Sequence, residues 1–394
     1  MVRVAVWALY DLANTFFAVA MLSFYFPLWV VEDQGAKELV FSGVLAASMA
    51  CVAVLMPICG AISDARGQRI RFLRWTTIGC VAVTALTGLT HHLGVALVLF
   101  AMANICYQLG TIFYDALLWR IAKPTHVGYV SGIGAAFGYL GSMAGLLFLW
   151  PFVQRGGHHA AFLPSAGFFL LFALPSLLLI REAAPPRSVN WSRAIHEGLQ
   201  RLRATARQAK RYTGIGRFLL ALFVSSNAIN TVLVFMVVYT KTVLGFTEEQ
   251  LVRFFLWGQA FAVLGSLLGS SLVRRIGAKR TLTWIWVGWI GALALVLGIR
   301  HANGIWISGP LIGLCLGPTW ATSRVLLIQL APKDQLAEFL GLAGLLGRAA
   351  SIVGPLLWGV SVWEPLRYHH AIGALMVLLG IGLWIFRKVP EPSA

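Results

Sequence analysis

Residues 60–69 read Gly60-Ala-Ile-Ser-Asp64-Ala-Arg66-Gly67-Gln-Arg69, and beginning 209 positions later the chain reads Gly269-Ser-Ser-Leu-Val-Arg274-Arg275-Ile-Gly277-Ala-Lys279-Arg280. Each stretch is a short glycine-bearing basic turn set between two long apolar runs. The same offset of 209 relates Leu117 to Leu326, Leu118 to Leu327, Ala122 to Ala331, Gly132 to Gly341, Gly138 to Gly347 and Gly145 to Gly354. Asn14-Thr15 and Asn230-Thr231 match at 216, so loop lengths differ slightly between the two halves. One offset held across several helices and two turns reads as an internal duplication. Parallel repeats of apolar helices are an architecture of secondary transporters, with the substrate site near the membrane midplane and between the halves.

The composition agrees. Of 394 residues, 59% are hydrophobic and 11% charged, whereas a soluble domain carries about 25% charged residues; the mean hydropathy is +0.79. Helices of about 20 apolar residues span a bilayer, and the runs between charges predict twelve of them, at 6–31, 40–62, 72–90, 95–119, 128–150, 161–180, 217–244, 251–273, 281–299, 304–329, 338–360 and 370–386. A β-barrel would show short alternating segments instead. The fold class expected is therefore all-α and integral to the membrane. It comprises a six-helix bundle over residues 1–180, a linker over 181–216 and a second six-helix bundle over 217–394. The first apolar run is too long for a signal peptide and carries Asp11 and Asn14, so it counts as helix 1.

The net charge of +17 would suggest nucleic acid in a soluble chain, but the basic residues sort by side. With the N-terminus inside, 23 of the 31 Lys and Arg fall in cytoplasmic segments, 6 fall outside, and Arg324 and Arg348 lie within helices. This is the positive-inside pattern; it places both termini in the cytoplasm, makes the inner membrane the expected location and argues against nucleic-acid binding. In the linker, Trp191, Ile195, Leu199 and Leu202 recur at helical spacing among arginines and lysines. They form either an amphipathic helix lying on an anionic inner leaflet or a solvated connector. Cys51, Cys59, Cys80, Cys106 and Cys315 all lie in apolar runs without a close pair, and read as free buried thiols rather than disulfides or a metal site. Seven of nine histidines, including the pairs His91-His92, His158-His159 and His369-His370, fall in expected outer loops. Metal capture, a pH sensor and incidental loop residues all remain open for them.

Polar groups inside a membrane are costly and usually face a cavity or a partner helix. Helix 1 carries Tyr10, Asp11, Asn14 and Thr15 on one face. Helix 4 carries Asn104, Tyr107, Gln108, Thr111 and Asp115 on one face, helix 7 carries Asn227 and Asn230, and helix 10 carries Thr319, Trp320, Ser323 and Arg324. These four helices are equivalent under the repeat. Their polar residues are the expected substrate cavity. Glycines 134, 138, 141 and 145 in helix 5 and glycines 341, 344, 347 and 354 in helix 11 read as packing stripes. Asp115 and Arg324 are counterparts under the repeat, and three roles compete for the interior charges. They form an ion pair that holds or gates the protein; or Asp115 or Asp11 takes up a proton as water leaves its surroundings; or the Arg324 fork grips a carboxylate or phosphate.

The G-x-x-x-D-x-x-G-x-R turn, with Gly60, Asp64, Gly67 and Arg69, resembles the signature loop of the major facilitator superfamily, which implies a cytoplasmic gating element. A narrower likeness lies in Trp7-Ala-Leu-Tyr10-Asp11-Leu-Ala-Asn14, in Phe113-Tyr114-Asp115-Ala-Leu-Leu and in Gly128-Tyr-Val-Ser131-Gly-Ile-Gly-Ala-Ala-Phe-Gly138-Tyr139-Leu-Gly141-Ser142. It continues through Ser323-Arg324, Ala331-Pro332, Glu338-Phe-Leu-Gly341, Gly347-Arg348 and Gly354-Pro355. These blocks resemble the vacuole-effluxer family, the autophagy-related amino-acid effluxers and their bacterial relatives. The resemblance implies the major facilitator fold, helices 1, 4, 7 and 10 around a central cavity, alternating access by a monomer, and efflux of an amino acid or related zwitterion; proton coupling is expected from the interior acids Asp115 and Asp11. Trp320 stands where the family usually has Gln, and Asn227 where it often has an acid. An exporter of a lipid-like or amphiphilic molecule is the alternative within transport. A non-transporting sensor or scaffold is the alternative outside it. Neither H-E-x-x-H, G-x-S-x-G nor a G-x-x-x-x-G-K-[ST] phosphate loop occurs, so no enzyme, cofactor, metal or direct ATP drive is expected.

Overall fold

A bilayer offers no water to unpaired backbone groups, so apolar chain crosses it as helix. The computed structural model describes residues 2–121, 127–180, 196, 198, 200, 203–207, 212–298, 304–332, 335–362 and 368–391. Among these residues there is no strand. In the first half, α1 spans Val2–Phe17, α2 Glu38–Arg66, α3 Arg69–Thr87, α4 Leu93–Ile121, α5 Val127–Gly156 and α6 Phe162–Leu179. In the second, α7 spans Thr213–Thr242, α8 Glu248–Ile276, α9 Ala278–Gly298, α10 Ile305–Leu330, α11 Leu336–Ser361 and α12 Tyr368–Arg387. Eleven described helical spans are long and apolar enough to cross a membrane. The twelfth expected span, α3, falls short because it opens on Arg69, Arg71 and Arg74 and carries four threonines.

The chain divides into two compact units, Met1–Arg201 and Leu202–Ala394. Within the first, α1 packs on α5 and α6, α3 on α4 and α6, and α2 on α4. Within the second, α7 packs on α11 and α12, α9 on α10 and α12, and α8 on α10. The same five pairings recur, so the repeat read from sequence is a repeat of structure.

The repeated turn explains its glycines. Gly67 has φ +68° and Gly277 has φ +84°. Each closes the preceding helix, with Gly67 N–H donating to Ser63 O at 3.0 Å and Gly277 N–H to Val273 O at 3.1 Å. A left-handed residue at this cap is cheap only for glycine. At α8 the run Thr247-Glu-Glu-Gln250 forms a capping box: Thr247 Oγ1 accepts from Gln250 N–H at 3.2 Å, and Gln250 Oε1 accepts from Thr247 N–H at 2.8 Å.

One departure concerns the first span. It is a single run in sequence, but the helix widens into π turns at Ala18–Ser23 and Trp29–Asp33, around a break at Phe24 (φ −135°, ψ −76°). Pro27 has no N–H for the fourth carbonyl before it, and Ser23 Oγ donates to Ala18 O at 3.0 Å. The displaced tail is held elsewhere, as Tyr25 O–H donates to Leu146 O of α5 at 3.3 Å. A second departure concerns the cysteines. Cys80 and Cys315 are buried, but Cys51 is exposed on α2. It sits on an apolar face of that helix.

The linker residues Trp191, Ile195, Leu199 and Leu202 lie outside the described set, as does His301. Of the linker's described residues, Gly198 lies against Ala61 of α2 so closely that a Cβ there would come within 2.4 Å of the Ala61 methyl. Thr205 is buried and donates to Glu338 Oε2 at 2.7 Å.

Candidate functional site

Asp115 and Arg324 hold matched positions. Each is the sixth residue before the last of its helix, α4 or α10, and each is exposed. Around Asp115 the local structure is firmly built. Arg69, from the repeated turn, donates through Nη1 to Ala116 O at 2.9 Å. Tyr114, one residue earlier, stacks with two rings of α1: Trp7 at 4.5 Å between ring centroids and 5° between planes, and Tyr10 at 5.1 Å. Trp7 Nε1–H donates to Tyr114 O at 3.2 Å. The α1–α4 contact at this end is therefore an aromatic stack tied by one backbone bond. Sequence periodicity did not reveal it, although Trp7, Tyr10 and Tyr114 were all visible within the family-like blocks.

Tyr10 is only 2% exposed, and its hydroxyl shares a hydrogen with Thr77 Oγ1 of α3 at 2.7 Å. Its role in the structure is to join α1, α3 and α4. Tyr10→Phe keeps the ring stack and removes that bond, so the variant is expected to lose about 0.5–1.5 kcal/mol. A shift in the thermal melting of purified protein measures it.

Asp11 is half-buried on α1; Gly138 of α5 lies against its carboxylate, with 3.1 Å between Oδ2 and a Cβ built there. Asn14 Nδ2 donates to Asp11 Oδ1 at 3.4 Å. Thr15 Oγ1 turns back to Leu12 O at 2.7 Å, where Gly141 leaves it room. The glycine stripe of α5 is thus the surface on which α1 lies.

On α4, Asn104 is fully buried and donates through Nδ2 to Ser48 Oγ of α2 at 2.7 Å. Tyr107 and Gln108 are half-buried; Tyr107 stacks on Phe17 at 4.7 Å, and Thr111 Oγ1 donates to Gln108 O at 2.8 Å. In the second unit, Asn227 accepts from Gly354 N–H at 3.1 Å and donates to Phe223 O at 2.8 Å. Asn230 donates to Ser351 Oγ at 2.9 Å and Gly347 O at 3.3 Å. Both asparagines face α11. Ser323 is buried and turns back to Thr319 O at 2.7 Å, Thr319 accepts from Trp289 Nε1 at 3.1 Å, and Trp320 is half-buried. Gly60 has open space around it, while the side chains of Asp64 and Arg66 lie outside the described set.

The candidates therefore separate. Tyr10, Asn104, Asn227, Asn230 and Ser323 spend polar atoms on helix contacts or on their own helix. Asp115 and Arg324 are exposed, with Asp11, Tyr107, Gln108, Thr111 and Trp320 half-exposed.

Three loop histidines of the first unit, His91, His158 and His159, are also held by neighbours. His158 Nδ1 and Asp33 Oδ1 are 2.8 Å apart, His159 Nε2 lies 2.8 Å from Thr90 O, and His91 stacks on His159 at 4.1 Å. Among the described residues no His, Cys, Asp and Glu group has the arrangement of a metal site.

Comparison with known proteins places this geometry. Residues 40–393 match the family model described as "Vacuole effluxer Atg22 like". The chain is 25% identical to an uncharacterized MFS-type transporter, YxiO, of Bacillus subtilis, across 98% of this chain and 95% of that one. It is 23% identical to autophagy-related protein 22 of Eremothecium gossypii, across 97% of this chain and 90% of the relative. The nucleoside transporter NupG superposes with a TM-score of 0.78 at 12% identity, over 99% of this chain and 100% of that chain. A bacterial homolog of the human lysosomal transporter Spinster gives a TM-score of 0.70 at 13% identity, over 98% of this chain and 94% of that chain. At such identities these two structures speak for the fold alone. With the duplicated turn, the twice-repeated helix pairings and the family match, the chain belongs to the Atg22-like vacuole effluxer family and is a membrane transporter of the major facilitator type.

Proposed function

We propose that this protein carries a small zwitterionic solute, an amino acid or a close relative, out of the cytoplasm by alternating access, with proton coupling. The observation that carries the reading is the matched pair of exposed charges, Asp115 on α4 and Arg324 on α10, each the sole charged residue of its membrane-crossing span, Leu93–Leu118 or Ile305–Leu330. An intramembrane charge is costly and persists where function uses it. Arg324 supplies the planar fork that suits a carboxylate. Asp115 supplies a group that can carry a proton or meet an ammonium. Tyr107, Gln108, Thr111 and Trp320 add half-exposed polar and aromatic surface on the same two helices.

The rest of the molecule has supporting roles in this reading. Residues 1–180 and 217–394 are the two moving bundles and 181–216 their cytoplasmic connection. The basic turns face the cytoplasm, both termini lie there, the membrane is the inner membrane, and the monomer is the working unit. Gly60, Asp64, Gly67 and Arg69 form the gating turn, and Arg69 acts by holding the α4 backbone beside Asp115 through Ala116 O.

Counterflow in proteoliposomes tests this. Liposomes loaded with one unlabelled amino acid from a panel are diluted into the labelled one, with and without an imposed pH gradient. Accumulation is expected for one or a few zwitterionic amino acids, and a proton gradient should drive net flux of the same solute. Absence of counterflow for every amino acid, with protein that elutes and melts as a folded species, would falsify the solute class. It would favour the amphiphile exporter that Trp320 in place of Gln suggests.

A further inference from the structure

The face of α3 that its neighbours leave uncovered runs through Arg71, Trp75, Ile78, Ala82 and Leu86, all exposed. Steps of three and four make this one stripe along the helix. From Trp75 onward the stripe is nearly all apolar, as suits contact with acyl chains. At its basic end the character changes. Arg71, Arg74, Trp75 and Ile78 line an open groove of about 290 Å³. Arg74 is half-buried, and its Nε donates to Leu177 O at 2.6 Å, near the end of α6. That bond anchors the guanidinium at the groove wall. On α6 the next two residues, Leu178 and Leu179, are exposed as well.

We propose that this groove binds an anionic phospholipid, with the headgroup phosphate between Arg71 and Arg74 and an acyl chain along Trp75 and Ile78. Three features converge. Two guanidinium groups one turn apart offer charge-assisted bonds to a phosphodiester. Trp75, 67% exposed, sits between the charged and apolar parts of the stripe, where an indole prefers the headgroup level. Basic pockets at the ends of transmembrane helices select anionic headgroups, because a zwitterionic lipid brings its own cation toward the arginines. The excess of basic residues at this end of the helices sets the leaflet as the inner one under the orientation proposed above. The binding chemistry itself depends on neither that orientation nor the transported solute.

Native mass spectrometry of the detergent-purified, full-length protein tests the site with three probes: phosphatidylglycerol, phosphatidylcholine with the same acyl chains, and inorganic phosphate. Phosphatidylglycerol should bind more tightly than phosphatidylcholine. Arg71→Gln should weaken phosphatidylglycerol binding by about fivefold, the effect of removing one interfacial cation, and Arg71→Glu by more. Trp75→Ala should weaken both lipids alike. Inorganic phosphate at the same concentration should not displace the lipid. Equal affinity for the two lipids, or Arg71→Gln binding as wild type, would overturn the proposal. Displacement by phosphate alone would also overturn it, by showing that the groove takes a free anion. Arg71 and Trp75 are surface positions, and melting curves for each variant confirm that the folded protein is compared.

Discussion

Arg324→Ala is expected to weaken the apparent affinity for a carboxylate-bearing solute by roughly 10- to 150-fold in counterflow, while the protein melts as wild type. The range follows from the bond being removed. Hydrogen bonds to charged groups contribute about 1.5–3 kcal/mol, and each 1.4 kcal/mol is about tenfold in affinity. Arg324 is exposed on α10, so truncation leaves no core cavity to account for the effect. Arg324→Lys should recover only part of it, since an ammonium keeps the charge but not the two parallel donors. Asp115→Asn should separate the functions: solute exchange persists, and acceleration by a pH gradient disappears. The pattern that defeats this assignment is Arg324→Ala exchanging at wild-type affinity. Asp115→Asn losing exchange and gradient response together would make Asp115 a solute ligand or gate and not a proton carrier.

Much of the architecture is legible in the sequence because lipid simplifies the rules. Helix is the economical way across, so apolar runs and basic turns translate directly into α1 to α12 and their order. The glycine stripe of α5 is legible for a related reason, since Gly134, Gly138 and Gly141 sit where Trp7, Asp11, Leu12 and Thr15 of α1 press in. What periodicity cannot supply is which part of a face is covered. Asn104 and Asp115 project in nearly the same direction from α4, yet one is fully buried and the other exposed. Ser48 and Met49 of α2 meet the helix at Asn104. Six residues before the Phe24 break, at Ala18, the first span has likewise already widened into a π turn that no spacing in the sequence announces.

The repeat shows what Asn104 does. Its counterpart 209 residues later is Gly313 of α10, and the counterpart of Met49 is Gly258 of α8. In the second unit these positions touch directly: a Cβ on Gly313 would come within 2.2 Å of Gly258 O. One half closes the joint with two glycines, the other with an asparagine bonded to serine. A polar residue on a membrane helix can therefore be a packing device, which a one-face reading of α4 does not separate from a cavity lining.

The same joint carries the largest expected effect on stability. Gly309, Gly313 and Gly317 form a GxxxGxxxG run on α10, a pattern that permits close helix approach and that reading the helix for its polar face passes over. Its partner surface on α8 is Gly258, Ala262, Gly265 and Ser266. A Cβ on Gly317 would stand 1.9 Å from Ala262 O, 2.7 Å from Ser266 Oγ and 2.8 Å from Ser266 N. The obstruction is mostly backbone, so no side-chain rotation relieves it and the helices must separate. Gly317→Ala gains up to about 1 kcal/mol of helix propensity. Overpacking costs about 1–3 kcal/mol and more where backbone must shift, and separation also loosens Gly313 and Gly309 along the same seam. The cost therefore wins. Gly317→Ala is expected to lower the melting temperature by several degrees, at about 2–4 °C per kcal/mol for a unit of this size, and Gly317→Leu should leave little folded protein. Gly291→Ala on α9 is the matched control, with nothing within 4 Å of the added methyl; it should melt at or slightly above wild type. If Gly317→Ala melts with Gly291→Ala, the α8–α10 joint is not closed by glycine contact, and Asn104 loses its reading as the polar version of the same joint.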